Sequence, residues 1–468
     1  MAVTRVPIYP VPGILNTIPT LSEYSKKFHK ALQAEAYNRL IDFDQLKIAN
    51  VPWVDVRSYG AKVNGITIDT VAVQAAINSL TSGGTVLFPR GTCLTGGLTL
   101  LSNVRLMGMG WGSIIKLKNA GEAHLIYALN KTGISISNLT LDGNKANQAG
   151  GFASLYFEGV TDSYIDDVFI QNGSYSNITL KNCARVIITT FLSKNPANVG
   201  AYFTGTTDSQ IIGMHSVKDT GGISGHHGVL LYSGSTDNQL MGIICRHTAL
   251  SDGVTFHTGC HRNKLSQGLF IGCVNGVSIG ANYFQVDGVY ADNARATADY
   301  ESGIEIVGSS KGTVSNCILR NNYGAGLYVH SASNDNVFEK IIAELNGWSG
   351  FLVDASLRNK FAACKAIENE GRGYYFTTGA HYNGLTGSDA LNNSNTGAVP
   401  GVEIASSNYC KVTGGIFTDD QTPKTQTYGI QETGTSNYSQ IHGVNAAGNL
   451  TGSILLTGVN SVETDNMV

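Results

Sequence analysis

Between Ser251 and Glu305 the chain gathers side chains able to move protons: Asp252, His257, His261, Asp287, Asp292, Asp299, Glu301 and Glu305. Charged residues make up only 14% of the sequence, so this crowding is a local feature. Two carboxyl groups facing each other across a sugar bond suffice for glycoside hydrolysis, one acting as acid and the other as base or nucleophile. Asp287, Asp292 and Asp299 beside Arg295 would offer oxygens to Ca²⁺ and a base for a lyase instead. No cofactor is expected for hydrolysis, and Ca²⁺ enters only with lyase chemistry.

These residues need a scaffold, and a repeat supplies it. A small residue followed by alternating apolar positions returns as Gly228-Val-Leu-Leu, Gly253-Val-Thr-Phe, Gly276-Val-Ser-Ile, Gly303-Ile-Glu-Ile, Gly326-Leu-Tyr-Val, Gly350-Phe-Leu-Val, Gly373-Tyr-Tyr-Phe and Gly401-Val-Glu-Ile. These marks lie 25, 23, 27, 23, 24, 23 and 28 residues apart. Ser154, Asn177 and Gly200 extend the frame backward, and Gly429 and Gly452 extend it forward. Strand side chains alternate faces. The positions one and three after each mark are nearly all apolar, as in Val229 and Leu231 or Ile304 and Ile306, and form a core face. The position two after is mixed and faces out: Tyr156, Thr179, Tyr202, Leu230, Thr255, Ser278, Glu305, Tyr328, Leu352, Tyr375, Glu403, Gln431. One unit cannot bury its apolar face alone, so units stack. The spacing is too short for a propeller blade of roughly 40 to 50 residues, and hairpin turns of the Asn-Gly kind are not regular. The reading is all-β, a parallel β-helix of about 13 coils.

Glu305 stands on the outward column between Ser278 and Tyr328. Asp252 begins a strand two coils below, with His257 at that strand's end. Two stacking steps predict roughly 9–10 Å between the carboxylates, close to the 6.5–9.5 Å that admits a water in inverting hydrolysis. Glu305, Asp252 and Glu301 are the catalytic candidates. Sugar rings stack on aromatic faces, so Tyr328, Trp348 and Tyr375, with His257 and Asp292, are the substrate-binding candidates. A solvated turn carboxylate capping a backbone amide remains the alternative for each Asp.

A net charge of −3 leaves no electrostatic footprint for nucleic acid or an acidic membrane. The eight cysteines fall about one per coil without C-x-x-C spacing and read as reduced core thiols rather than zinc ligands. Residues 1–50 read as an extension with no Sec signal peptide and no transmembrane span. Within it, residues 21–40 carry one apolar stripe, Leu21, Tyr24, Phe28, Leu32, Ala36 and Leu40, that predicts an amphipathic helix suited to attachment or to a trimer contact. From 51 to 468 the chain reads as one β-helix domain. Asp69 is placed to cap a helix over about Thr70–Leu80 that closes the first coil.

That opening carries a resemblance. Tyr59-Gly-Ala-Lys, then Asp69, Thr70 and Gln74, followed by Gly83-Gly-Thr-Val-Leu-Phe-Pro-Arg-Gly, resembles the N-terminal signature of the pectate-lyase-3-like superfamily of right-handed β-helix polysaccharide enzymes and phage tailspikes. Val63, Asn64 and Ile68 replace the family's Gly and two Asp residues. His226 and His227 before Gly228 resemble the Gly-His-Gly of polygalacturonases, but the acidic and Arg-x-Lys companions are absent in register. The resemblance implies a homotrimeric tailspike-like depolymerase on a virion tail or baseplate, attached through its N-terminus and hydrolysing a bacterial surface polysaccharide. A non-catalytic glycan-binding adhesin, and a polysaccharide lyase or epimerase of the same fold, are the competing readings.

Overall fold

A computed structural model describes residues 53–218, 227–246, 252–292, 301–395 and 397–468. The helix expected over 21–40 lies outside them, as do His226, Arg295 and Asp299. The described chain is a parallel β-helix. All of its strands pair in parallel, in a 15-stranded sheet and a 27-stranded sheet. The smaller sheet takes one strand from each coil, from Leu98–Thr99 to Gly452–Leu455. The coils therefore number about fifteen rather than about 13. The two additional strands, Leu98–Thr99 and Ile126–Leu129, precede Ser154, where longer turns stretch the spacing.

The larger sheet joins two strands from most coils, as with Lys264–Ser266 and Leu269–Ile271, then Gln285–Asp287 and Tyr290–Asp292. One residue with positive φ turns the corner between each pair: Gln267 at 57°, Gly288 at 65°, Asn316 at 54°, Lys340 at 52°, Ala363 at 52°. Glycine adopts this left-handed conformation without steric cost, and the others hold it because the stacked coils on either side impose it. Earlier coils pass the same corner inside one long strand, Thr161–Gln171 or Ala184–Lys194.

Register between coils is unbroken where the sequence pattern demanded it. Val229 pairs with Val254, Val254 with Val277, Val277 with Ile304 and Ile304 with Leu327, all buried. Like side chains thus stack on like, as the ring pairs Phe338–Phe361 and Phe351–Tyr374 do, each at 4.7 Å. The eight cysteines are all buried, the core position expected of them.

Turns that enter the interior bring polar groups with them, and buried polar groups must find partners. Asparagine ladders supply these. Asn346 donates Nδ2–H to Leu319 O at 3.1 Å and to Asn369 Oδ1 at 2.8 Å, and its own Oδ1 accepts from Asn322 Nδ2 at 2.8 Å. Asn369 repeats the pattern toward Asn393 at 2.8 Å. A second ladder runs Asn336, Asn359, Asn383.

The first coil is closed by the helix Thr70–Asn78, whose Val73, Ala76 and Ile77 are buried. Asp69 stands before it but does not cap it. Its carboxylate instead accepts Lys62 N–H at 2.7 Å and Val63 N–H at 2.9 Å, tying down the preceding loop. The sequence shows an acid at the right position but not which free amide lies nearer.

Replacing Asn346 by Ala leaves Leu319 O and the amides of Asn322 without their partner. Asn346→Ala should lower stability by about 2–4 kcal/mol, measured by equilibrium urea unfolding, with near-native secondary structure by circular dichroism.

Candidate functional site: two carboxylates on one asparagine

The site lies on the outer face of the 15-stranded sheet, on the strands Val254–Phe256, Val277–Ile279, Ile304–Val307 and Leu327–His330. Register puts Thr255, Ser278, Glu305 and Tyr328 in one outward column. The turns entering the first two strands add Asp252 and Asn275.

Asn275 joins the two predicted carboxylates. Its Nδ2 donates to Asp252 Oδ1 at 3.1 Å and to Glu305 Oε2 at 3.3 Å. Two acceptors on one nitrogen at these lengths stand no more than about 6.4 Å apart. The coil-counting expectation of roughly 9–10 Å is therefore too long. It counted backbone steps, whereas both side chains lean toward the coil between them.

Each carboxylate has further partners. Glu305 Oε2 also accepts from Ser278 Oγ at 2.9 Å, and Oε1 meets His330 Nε2 at 3.0 Å. His330 is held in place by stacking on Tyr328, with centroids 4.1 Å apart and planes 9° from parallel. Asp252 accepts the Asn275 backbone N–H at 3.2 Å and Thr255 Oγ1–H at 2.9 Å. Thr255 Oγ1 in turn lies 2.9 Å from His227 Nδ1. The result is one continuous polar chain: His227, Thr255, Asp252, Asn275, Glu305, His330.

Burial pushes the Asp252 carboxyl above the ordinary carboxylate range, and the negative charge of Glu305 adds to this against the opposing pull of His227. Burial likewise pushes His227 below the usual imidazole value. Both groups are thus biased toward their neutral forms.

Beside the pair, Tyr328, Leu352 and Ala325 form a small buried cluster on the outer face, with Trp348 and Tyr375 against it. This brings three predicted binding aromatics together. Arg372 lies over the Tyr375 ring at 4.2 Å and is ion-paired with Glu403. The outward column is accordingly less open than its alternation implied. Tyr328 retains 7% of its surface and Leu352 2%, because side chains from the turns fold over them.

The other predicted residues scatter. His257 is exposed on the same face, against Tyr232 at 4.6 Å. Asp292 ends a strand of the larger sheet, where it accepts from Tyr290 Oη at 3.1 Å and Asn321 Nδ2 at 3.2 Å rather than joining Glu305. Asp287 is bound by Ser315 and Asn316, each at 2.7 Å, on that same sheet. His261 accepts Asn282 N–H at 3.1 Å at another corner. Glu301 is half-buried ahead of the Ile304–Val307 strand, and its carbonyl accepts Gly324 N–H at 2.9 Å. Among the described residues no cluster of three His, Cys, Asp or Glu groups could hold a metal ion. Sequence reasoning missed Asn275, His330 and the pairing of His227. Asn275 and His227 immediately precede marks, as Asp252 does, and that shared offset was the available signal.

Two family models match the chain: a rhamnogalacturonase A/epimerase, pectate lyase-like model over residues 53–219 and a right-handed β-helix region model over 275–446. The mannuronan C5-epimerase AlgE2 of Azotobacter vinelandii is 34% identical over 125 residues, covering 22% of this chain and 12% of its own length. The pre-neck appendage protein of Bacillus phage phi29 is 30% identical over 246 residues, 49% of this chain and 27% of that protein. The chain thus spans only a minor part of either relative. Among solved structures, the N-terminal fragment of phi29 gene product 12 superposes with a TM-score of 0.65 at 14% identity, over 92% of this chain and 96% of that one. A tailspike protein double mutant of E. coli bacteriophage HK620, in complex with pentasaccharide, gives 0.58 at 13% identity, over 88% and 80%. These likenesses show the fold and fix its hand as right-handed.

The raised Asp252 carboxyl has a consequence for stability. A folded-state pKa above the unfolded value contributes stability that is complete below the ordinary carboxylate pKa and declines as pH rises through the folded value. Asp252→Asn removes that decline. The variant's urea midpoint should exceed the parent's near pH 7, and the gap should close by about pH 3.5, where the parent's Asp252 is protonated.

Proposed function

Starting from a right-handed β-helix of pectate-lyase-like and tailspike-like form, we propose that this protein is a depolymerase that binds and hydrolyses a bacterial surface polysaccharide with the Asp252–Glu305 pair. The observation that carries the reading is the shared donor Asn275, which bonds both carboxylates, at 3.1 and 3.3 Å, on the outer face of the sheet. A binding groove alone has no use for two carboxylates drawn together in this way, since their mutual repulsion costs stability.

Asp252, whose neutral form burial favours, acts as the acid. It donates its proton to the glycosidic oxygen as the C–O bond breaks, and the leaving sugar departs with it. Glu305 supplies the opposing carboxylate. Bonded oxygens within about 6.4 Å of each other lie below the roughly 6.5–9.5 Å of inverting enzymes, which supports the retaining course. Glu305 then attacks the anomeric carbon to give a glycosyl ester. Asp252, now a carboxylate, takes a proton from the water that hydrolyses this ester, and both groups return to their starting states. His330 and Ser278 orient Glu305, and Thr255 and His227 orient Asp252. Trp348 and Tyr375, both partly exposed, offer ring surface to the sugars beside the cleaved bond, while the buried Tyr328 acts by holding His330.

On the same reading the protein is carried on a virion tail or baseplate as a homotrimer, with residues 1–50 as its attachment. Likeness to the phi29 appendage protein and the HK620 tailspike supports this placement. A second reading, a lyase or epimerase, draws support from the mannuronan epimerase relatives and from the neutral-leaning imidazole of His227, which could accept a sugar proton.

Purified protein incubated with a panel of bacterial surface polysaccharides should release reducing ends of retained anomeric configuration, without an unsaturated product absorbing in the ultraviolet. An unsaturated chromophore would favour the lyase, and binding without cleavage would favour an adhesin. Glu305→Gln should lower turnover by about 10²–10⁴-fold or more while glycan affinity by calorimetry changes little.

A further inference from the structure

The outward columns do not end at the acid pair. Register carries Thr255 back through Leu230, Tyr202, Thr179 and Tyr156 to Tyr127, one residue per coil. The next outward position on the same strands reads Tyr232, Thr204, Lys181, Glu158 and Leu129. The rings along this strip approach one another in two groups. Tyr175, Tyr202, Tyr232 and His257 follow at 6.0, 6.2 and 4.6 Å. Farther along, Tyr156 lies 5.8 Å from Tyr127 and has one face covered by His124 at 4.0 Å. Tyr232 is 40% exposed, and the other tyrosines are half-buried with edges or faces open.

Charge is the second observation. In these two columns, from Tyr127 and Leu129 to Thr255 and His257, the only carboxylate and ammonium are Glu158 and Lys181, and they are paired at 3.0 Å. His124 is pushed below the usual imidazole value by burial, and its Nδ1 accepts Ala153 N–H at 3.0 Å. The strip is therefore rich in aromatic rings and hydroxyls and electrically self-compensated. Five coil steps make it roughly 24 Å long, the length of about four or five pyranose rings.

We propose that this strip is a binding track for an uncharged stretch of pyranose rings that leads into the Asp252–Glu305 centre, so that the glycan taken is built mainly of neutral sugars there. The proposal rests on the depolymerase reading and adds the class of glycan to it. Pyranose rings present C–H faces that lose little on desolvation against tyrosine, while their hydroxyls reach ring edges and Thr179, Thr204 and Thr255. A polyuronate would bring one negative charge per ring along a strip whose one ammonium is already neutralised by Glu158. Burying those charges unpaired would cost more than stacking returns.

The test compares the parent with the Tyr202→Ala/Tyr232→Ala variant on two sets of size-fractionated probes, neutral bacterial O-polysaccharide fragments and oligomannuronates. Both calorimetric affinity and cleavage are measured. The parent should favour neutral fragments of five or more rings over short ones. The variant should bind the long neutral fragments roughly tenfold more weakly, and its affinity for two-ring fragments should be unchanged. Equal affinity of parent and variant for long fragments would overturn the track, and preference of the parent for oligomannuronates would overturn the neutral class. Binding with this length dependence but no cleavage would retain the track and overturn the depolymerase. A parent that binds neither set would overturn both.

Discussion

Every feature of this protein depends on the coil-to-coil hydrogen bonds of its parallel strands, which place equivalent residues of successive coils roughly 4.8 Å apart. That constraint turns sequence position into column membership. An inward position must be apolar in each coil, because its neighbours above and below are the same kind of residue and nothing else fills the interior. A turn that enters the core must bring its own hydrogen-bond partner, which the next coil's equivalent asparagine supplies, as Asn346 does for Asn322. An outward position is free of both demands, so chemistry can accumulate there. Glu305 is one such position, and Asp252 and Asn275 reach it from the turns entering their strands, so that side chains from three coils meet.

The same constraint explains which features the sequence made legible. A two-residue alternation inside a 23- to 28-residue interval identifies strands, faces and columns together, and the outward column from Tyr156 to Gln431 appears in the structure in that register. Glu305 was recognisable because a carboxylate on such a column is not needed for folding, and Asp252 because it begins a strand of the same sheet nearby. Their separation was not, since it depends on where each side chain leans, and Asn275 pulls both inward to one coil. His330 was hidden for a related reason: it lies at a strand end, where alternation ceases to say which way a side chain points. Asp292 and Asp287 were close to Glu305 along the chain but belong to the other sheet, because a coil carries its residues around the axis as well as along it. Asp69 taught a similar lesson on a smaller scale, with its carboxylate taken by Lys62 and Val63.

The surroundings of the two carboxyl groups differ. Asp252 is surrounded by protein and faces the charge of Glu305, so its neutral form is favoured. Glu305 has hydroxyl, amide and imidazole neighbours arranged around its oxygens. The distinction arises from position alone: one carboxyl starts a strand inside a turn, and the other stands in the middle of a strand on the outer face. On both sides of the pair the outward face carries aromatic rings, Tyr328, Trp348 and Tyr375 toward the C-terminus and Tyr232 and Tyr202 toward the N-terminus, so the acid centre interrupts a longer aromatic strip.

The central claim is that Asp252 and Glu305 work as one unit through Asn275. Its most direct test is a double-mutant cycle on turnover of the polysaccharide the parent cleaves, using Asp252→Asn, Glu305→Gln and the combined variant. Strong non-additivity is expected, with the double variant no slower than the slower single one, because either substitution alone blocks formation of the glycosyl ester. Multiplicative losses in the double variant, or an Asp252→Asn enzyme with the parent's turnover, would contradict it.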